Sequence, residues 1–113
     1  MIPLSVPNIF DNEKKYVNDC LDSGWISSAG GFVNKFEHEI KNYVGSNHAV
    51  ACMNGTVGLQ ISLILSGVSP NDFVIVPNLT FVATLNSISY TNAEPLLFDV
   101  DLSTWQIDLN LVE

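Results

Sequence analysis

Arginine is absent from this chain, and four lysines face twelve aspartates and glutamates, for a net charge of −8. That balance excludes nucleic acid and anionic membrane surfaces as partners, because both require basic patches. It also removes the guanidinium fork, the bidentate clamp for phosphate. Any phosphate held here must rest mainly on backbone amides, hydroxyls and a helix terminus, unless another segment or subunit supplies cations. Charge of either sign is scarce. Charged residues make up 14% of the chain and hydrophobic ones 47%, against roughly 25% charged in an ordinary soluble domain. So little polar material covers a small domain poorly, and the chain reads as part of something larger.

Cysteine is nearly as rare. Cys20 and Cys52 form no Cys-x-x-Cys pair, and two isolated cysteines in apolar settings read as free, buried thiols of a cytosolic protein. The start, Met1-Ile2-Pro3-Leu4-Ser5, has no basic segment and no apolar core, so no signal peptide is visible. The longest apolar stretch, Val57 to Val68, is broken by Gly58, Gln60, Ser62, Ser66 and Gly67, which makes it too short and too interrupted to cross a bilayer. No internal repeat or low-complexity tract occurs.

What is present is a pattern of elements. Residues 1–10 read as an extended arm. Asp11 reads as the N-cap of a helix carrying the stripe Tyr16, Val17, Cys20 and Leu21 and ending near Gly24. A small-residue loop, 24–31, precedes a second helix striped by Phe32, Phe36, Ile40 and Val44, with Gly45 past its end. Then the period changes. Residues 48–53, 73–76 and 96–100 are apolar runs without polar alternation, the signature of strands buried on both faces. Helical patterns over 56–66 and 80–91 lie between them, with turns at Pro70-Asn71-Asp72 and at 91–95. The expected fold class is α/β: a 1–47 arm with two helices, a 48–101 βαβαβ segment of a mainly parallel sheet, and a 102–113 tail in which Asp108 caps the start of a helix. A sequence that stops at a helix start looks truncated.

Ligands of open α/β sheets sit at the carboxyl ends of the strands. Three loops qualify: Asn54-Gly55-Thr56, Pro77 to Phe81, and Asp99-Val100-Asp101. The first turns a strand-like run into a helix. Its free N–H groups, the helix dipole and the Thr56 hydroxyl make a phosphate cradle, although the same tripeptide also serves as a plain turn. Phe81 opens the next helix as either a core residue or a platform for a flat heteroaromatic ring. Cradle and platform together suggest pyridoxal phosphate. Trp25, with Ser27 and Ser28, is either a lip for a sugar or nucleotide base or simply a loop residue. His38 reads as solvated, His48 as structural, and Asp99 and Asp101 as turn-formers. No His, Cys or carboxylate cluster has metal-ligand spacing.

In order and spacing, Ile2 to Ser5, Gly24 to Ser28, Asn54-Gly55-Thr56, Val74 to Pro77, Thr80 to Asn86, and Glu94-Pro95 followed by Phe98 to Asp101 resemble the start of the DegT family. These are pyridoxal 5'-phosphate-dependent nucleotide-sugar aminotransferases of fold type I, the aspartate aminotransferase-like superfamily. The resemblance implies that Gly55 and Thr56 bind the cofactor phosphate, that Phe81 stacks on its ring, and that Trp25, Ile26, Ser27 and Ser28 line a loop near the nucleotide-sugar substrate. It implies transfer of an amino group from glutamate to a keto-deoxy nucleotide sugar for surface polysaccharide, in the cytoplasm and in a homodimer. It also implies that the first strand pairs with a late one, apart from the second and third.

The departures bear on chemistry. The family's cofactor-bonding lysine and the acid facing the pyridine nitrogen lie beyond position 113. Lys14, Lys15, Lys35 and Lys41 all precede the sheet, so the expectation for these 113 residues alone is an N-terminal segment without transaminase activity. The contrasting expectations are a stand-alone, non-catalytic α/β module that holds a phosphorylated ligand, and an inert product of a truncated gene.

Overall fold

A computed structural model describes residues 2–112, with Asp11 described through its backbone alone. The chain divides into two units, Met1–Ala51 and Cys52–Glu113. In the first, helix α1 spans Asp11–Ser23 and α2 spans Gly31–Val44. Both end at a glycine in the left-handed region, Gly24 at φ 73° and Gly45 at φ 68°. There a Cβ would be penalised and the glycine N–H turns back to the helix. The amide of Gly24 donates to the Leu21 carbonyl and that of Gly45 to the Lys41 carbonyl. The start of α1 corrects the sequence reading: the N-cap is Phe10, and Asp11 is already helical. Glu13 explains the shift, because its carboxylate accepts the Phe10 N–H at 2.9 Å and satisfies a donor one residue earlier. The stripes of the two helices meet where the Tyr16 and Phe32 rings lie with centroids 5.3 Å apart, tilted by 52°.

Residues 48–53, expected as the first strand, belong to no strand. A strand exists only through a ladder, and here one main-chain donor is taken by a side chain instead. The Ala51 N–H donates to the Glu37 carboxylate at 2.8 Å.

The second unit alternates as expected: α3 over Gly55–Leu65, β1 over Phe73–Pro77, α4 over Val82–Ser89 and β2 over Glu94–Phe98. The two strands pair in parallel, Phe73 opposite Glu94 through Pro77 opposite Phe98. The last strand therefore begins and ends earlier than the expected 96–100. Its amino end is fixed by the Glu94 N–H donating to the Asp72 carbonyl at 2.8 Å and the Asn71 N–H to the Asn92 carbonyl at 2.9 Å. Asn71 and Asn92 take φ of 71° and 60°, the turn geometry that asparagine tolerates better than most residues.

Packing in this unit is one-sided. α4 lies against α3 and both strands, and the core beneath it is Val76, Ile88 and Ala93, flanked by Leu63, Val68, Val74 and Leu85. Buried Ser87 and Thr91 satisfy their hydroxyls on the Thr84 and Ile88 carbonyls, each at 2.7 Å. Val74 and Val76 point into this core, whereas Phe73, Ile75, Leu96 and Leu97 are exposed. The expectation of strands buried on both faces is thus corrected for the described residues. Apolar runs register how hydrophobic a strand is, not how many layers cover it.

The tail turns back through a single antiparallel bridge, Val100 to Ile107, into a one-turn 3-10 helix over Leu109–Leu111. Asp108 caps it as expected, accepting the Asn110 N–H at 2.9 Å. The thiols are less enclosed than expected: Cys20 is half-buried and Cys52 exposed, and neither forms a disulfide. Among the described residues no helix is long and apolar enough to cross a membrane.

Candidate functional site

Asn54 is the N-cap of α3, extended at φ −160° and ψ 171°. Its side-chain oxygen accepts the Val57 N–H at 3.0 Å, and its carbonyl accepts the Gly58 N–H at 3.1 Å. Of the four amides that open this helix without intrahelical partners, those of Asn54, Gly55, Thr56 and Val57, the cap settles that of Val57, while the Gly58 N–H makes the first regular bond of the helix. The Gly55 and Thr56 N–H groups, and the Thr56 hydroxyl, donate to no acceptor among the described residues. A Cβ at Gly55 would meet nothing within 4 Å, so this position is uncrowded on its side-chain side. As part of the Asn54-Gly55-Thr56 turn, Asn54 is thus a cap as well as a turn residue. Its capping role was visible in principle, since asparagine directly before a helical run is a preferred N-cap.

Phe81 caps α4 in an extended conformation, its carbonyl accepting the Thr84 N–H at 3.0 Å. It is 78% exposed, so the core alternative is not realised in this unit. Gly55, Thr56 and Phe81 thus lie at the openings of two helices of the same unit, Gly55 and Phe81 exposed and Thr56 half-buried. Trp25, Ile26, Ser27 and Ser28 belong to the Met1–Ala51 unit. The Trp25 indole is 60% exposed and lies against the Gly30 backbone, where an added Cβ would come within 3.6 Å of the ring. Ser27 borders a small cavity of about 90 Å³ between this loop and the start of α2, and Ile26 borders an apolar groove of about 460 Å³ lined also by Tyr16, Val17, Leu21 and Phe36. Ser28 is exposed.

The third loop behaves as a turn. One carboxylate oxygen of Asp101 accepts the Ser103 and Thr104 N–H groups, both at 2.9 Å, the Thr104 hydroxyl at 3.2 Å, and the Ser103 hydroxyl. The Ser103 hydroxyl foremost, then the Thr104 and Ser103 amides, hold its carboxyl below the ordinary aspartate value. Because the folded value is the lower one, the stabilisation is fully present above the unfolded value of about 3.9 and is lost as pH falls through the depressed one. Trp105 closes this loop, its N–H donating to the Asp101 carbonyl at 2.8 Å. In a Trp25→Phe background, the Trp105 emission should therefore report an acid transition below about pH 4. Asp101→Asn should remove that transition, and persistence of it in the variant would reassign it to another carboxyl.

Both histidines are exposed, as expected of His38, which pairs with Asn42 at 2.9 Å through its Nε2. Among the described residues no group of His, Cys, Asp and Glu is placed to hold a metal ion.

The sequence profile of the DegT/DnrJ/EryC1/StrS aminotransferase family matches residues 7–113. The chain belongs to that family. GDP-perosamine synthase of Escherichia coli O157:H7 is 44% identical over 112 residues, which cover 99% of this chain and 31% of that protein. The UDP-4-amino-4-deoxy-L-arabinose–oxoglutarate aminotransferase of Shewanella sediminis is 36% identical over 112 residues, 99% of this chain and 29% of that one. Among solved structures, Spr1654 of Streptococcus pneumoniae in its PLP-form superposes with a TM-score of 0.89 at 32% identity, covering 98% of this chain and 28% of that one. The chain therefore spans about three-tenths of the length of the curated family members it matches. The α/β arrangement is that of fold type I aminotransferases, seen over this part of the family fold.

Proposed function

We propose that this chain supplies the phosphate-holding and ring-covering part of a pyridoxal 5'-phosphate-dependent aminotransferase that moves an amino group from glutamate to a keto-deoxy nucleotide sugar for surface polysaccharide. The observation that carries the reading is the amides of Gly55 and Thr56, which with the Thr56 hydroxyl have no acceptor among the described residues, at the opening of α3. The donor set fits the cofactor's phosphate: two backbone N–H groups, a hydroxyl and the positive end of a helix dipole are what a chain without arginine can offer a dianion. When bound, pyridoxal phosphate supplies an electron-accepting ring that stabilises the charge left when a proton departs from the carbon bearing the amine. Gly55 and Thr56 would hold the phosphate end in place. The exposed ring of Phe81 would cover one face and exclude water from it. The Trp25 to Ser28 loop is assigned to the nucleotide-sugar, with an exposed indole and two hydroxyls as its recognition groups.

The chemistry also needs an amine that bonds the cofactor and carries protons. Lys14, Lys15, Lys35 and Lys41 all lie on α1 and α2, outside the unit that contains Gly55, Thr56 and Phe81. We assign the amine to none of them. The reading places the working enzyme in the cytoplasm and as a homodimer.

Equilibrium dialysis of the purified chain against pyridoxal phosphate tests this. Saturable binding that inorganic phosphate displaces, with no cofactor fixed to any lysine by borohydride, is the expected result. Absence of phosphate-sensitive binding would remove the cradle, and site-specific trapping on one of the four lysines would overturn the assignment of the amine elsewhere.

A further inference from the structure

We propose that the Asn54-Gly55 peptide is a self-modification site, at which the Asn54 side chain loses ammonia and becomes a carboxylate. Asn54 is the only asparagine in the chain followed by glycine. In the reaction, the Gly55 main-chain nitrogen gives up its proton to water and attacks Asn54 Cγ. The new C–N bond closes a five-membered imide as the Cγ–Nδ2 bond breaks and Nδ2 leaves as ammonia. Water then opens the imide. Attack at Cγ yields aspartate, and attack at the main-chain carbonyl yields isoaspartate, with the backbone routed through Cβ. The balance is one carboxamide and one water consumed, one carboxylate and one ammonium formed, with no oxidant or reductant.

Four features of the structure favour this step at this place. The Gly55 N–H, whose nitrogen must act as nucleophile, is committed to no acceptor among the described residues. Asn54 and Gly55 are both exposed, and no side chain at Gly55 hinders approach. The Val57 N–H, 3.0 Å from the Asn54 side-chain oxygen, already donates to the atom that gains negative charge when Cγ becomes tetrahedral. The positive end of α3 favours both that oxyanion and the deprotonated Gly55 amide. Two bonds of the first turn of α3 restrain Asn54 at ψ 171°, the Gly58 N–H on its carbonyl at 3.1 Å and the Val57 N–H on its side-chain oxygen at 3.0 Å, and attack follows when rotation about ψ loosens this turn. Such terminal turns open readily. By contrast, the amide after Asn71, that of Asp72, is held by the Ser69 carbonyl at 3.1 Å.

Aspartate caps helices as well as asparagine does, so α3 survives the change to aspartate. What changes is charge: a carboxylate stands beside the Gly55 and Thr56 amides. The consequence that it weakens retention of a phosphorylated cofactor rests on the function proposed above, whereas the modification itself does not.

The test is to age the purified chain in mildly alkaline buffer and map it by peptide mass spectrometry, with isoaspartyl methyltransferase labelling. The expected result is conversion concentrated in the peptide containing Asn54, giving both aspartate and isoaspartate. It should be several-fold slower in Gly55→Ala, a substitution the helical backbone and the open space at this position accommodate. Equal rates in Gly55→Ala, or conversion led by Asn71 or Asn92, would overturn the proposal. Asn54→Asp compared with wild type in pyridoxal phosphate dialysis tests the consequence. Weaker retention supports it and equal retention refutes it. If wild type itself binds no pyridoxal phosphate, the cradle reading fails while the mapped modification still stands.

Discussion

Replacing Ile88 by alanine should destabilise the Cys52–Glu113 unit by about 2–5 kcal/mol, the range for emptying a buried aliphatic site. Ile88 is 2% exposed and shares its core with Val76, at 1%, and Ala93, at 6%. With so few fully buried apolar residues, one side chain is a large fraction of what holds α4 against the strands, and a typical domain has only about 5–15 kcal/mol in total. The cavity would open toward Leu63, Val74 and Leu85, which are only partly buried and pack around it. Two controls separate cavity formation from general fragility. Ile88→Val should lose about 0.5–1.5 kcal/mol, and Leu102→Ala, at a residue that is 84% exposed, should fall within about 0.5 kcal/mol of wild type. Amide exchange in β1, β2 and α4 gives the readout. If protection there is unchanged in Ile88→Ala, the core is not where the burial pattern puts it.

The helices were legible because their signals are local. The stripes of α1 and α2 and the glycines that stop them are written within a few residues, and Gly24 and Gly45 took the left-handed geometry that their positions call for. Asn71 and Asn92 were legible as turns for the same reason. Residues 48–53 were not, because β-structure is a property of a pair. The apolar run says that a strand would be stable beside a partner, and nothing in the run itself says where that partner lies. Phe81 shows the same limit at the candidate site. A benzyl group has the same hydrophobicity in a core and on a platform, so only the packing of α4 could tell which face it occupies. Asn54 is the opposite case: its capping bond follows from a local preference, and recognising it takes Val57 out of the four free amides of the helix start and leaves those of Gly55 and Thr56 among the free ones.

Backbone amides survive any substitution, so the Thr56 hydroxyl is the donor of this opening that a mutation can remove. Thr56→Val should weaken pyridoxal phosphate retention about ten- to a hundredfold, the worth of one hydrogen bond to a charged group, about 1.5–3 kcal/mol. The substitution is clean on the folding side. The Thr56 hydroxyl bonds to nothing among the described residues, the Asn54 cap on Val57 is untouched, and valine and threonine have similar helix propensities. Asn54→Ala would be a poorer probe, since losing the cap alone costs about 0.5–2 kcal/mol. The ligand series then separates the two ends of the site. Pyridoxal, which lacks the phosphate, should bind Thr56→Val and wild type alike if the hydroxyl serves the phosphate. Phe81→Ala should weaken pyridoxal and pyridoxal phosphate by the same factor, about two- to tenfold, because a ring contact of about 0.5–1.5 kcal/mol is common to both ligands. Equal loss of both ligands in Thr56→Val would place that hydroxyl on the ring or on the fold rather than on phosphate. Selective loss of pyridoxal phosphate in Phe81→Ala would move Phe81 from the ring to the cradle. Only the crossed pattern, phosphate-dependent at Thr56 and phosphate-independent at Phe81, is consistent with a cofactor spanning the openings of α3 and α4.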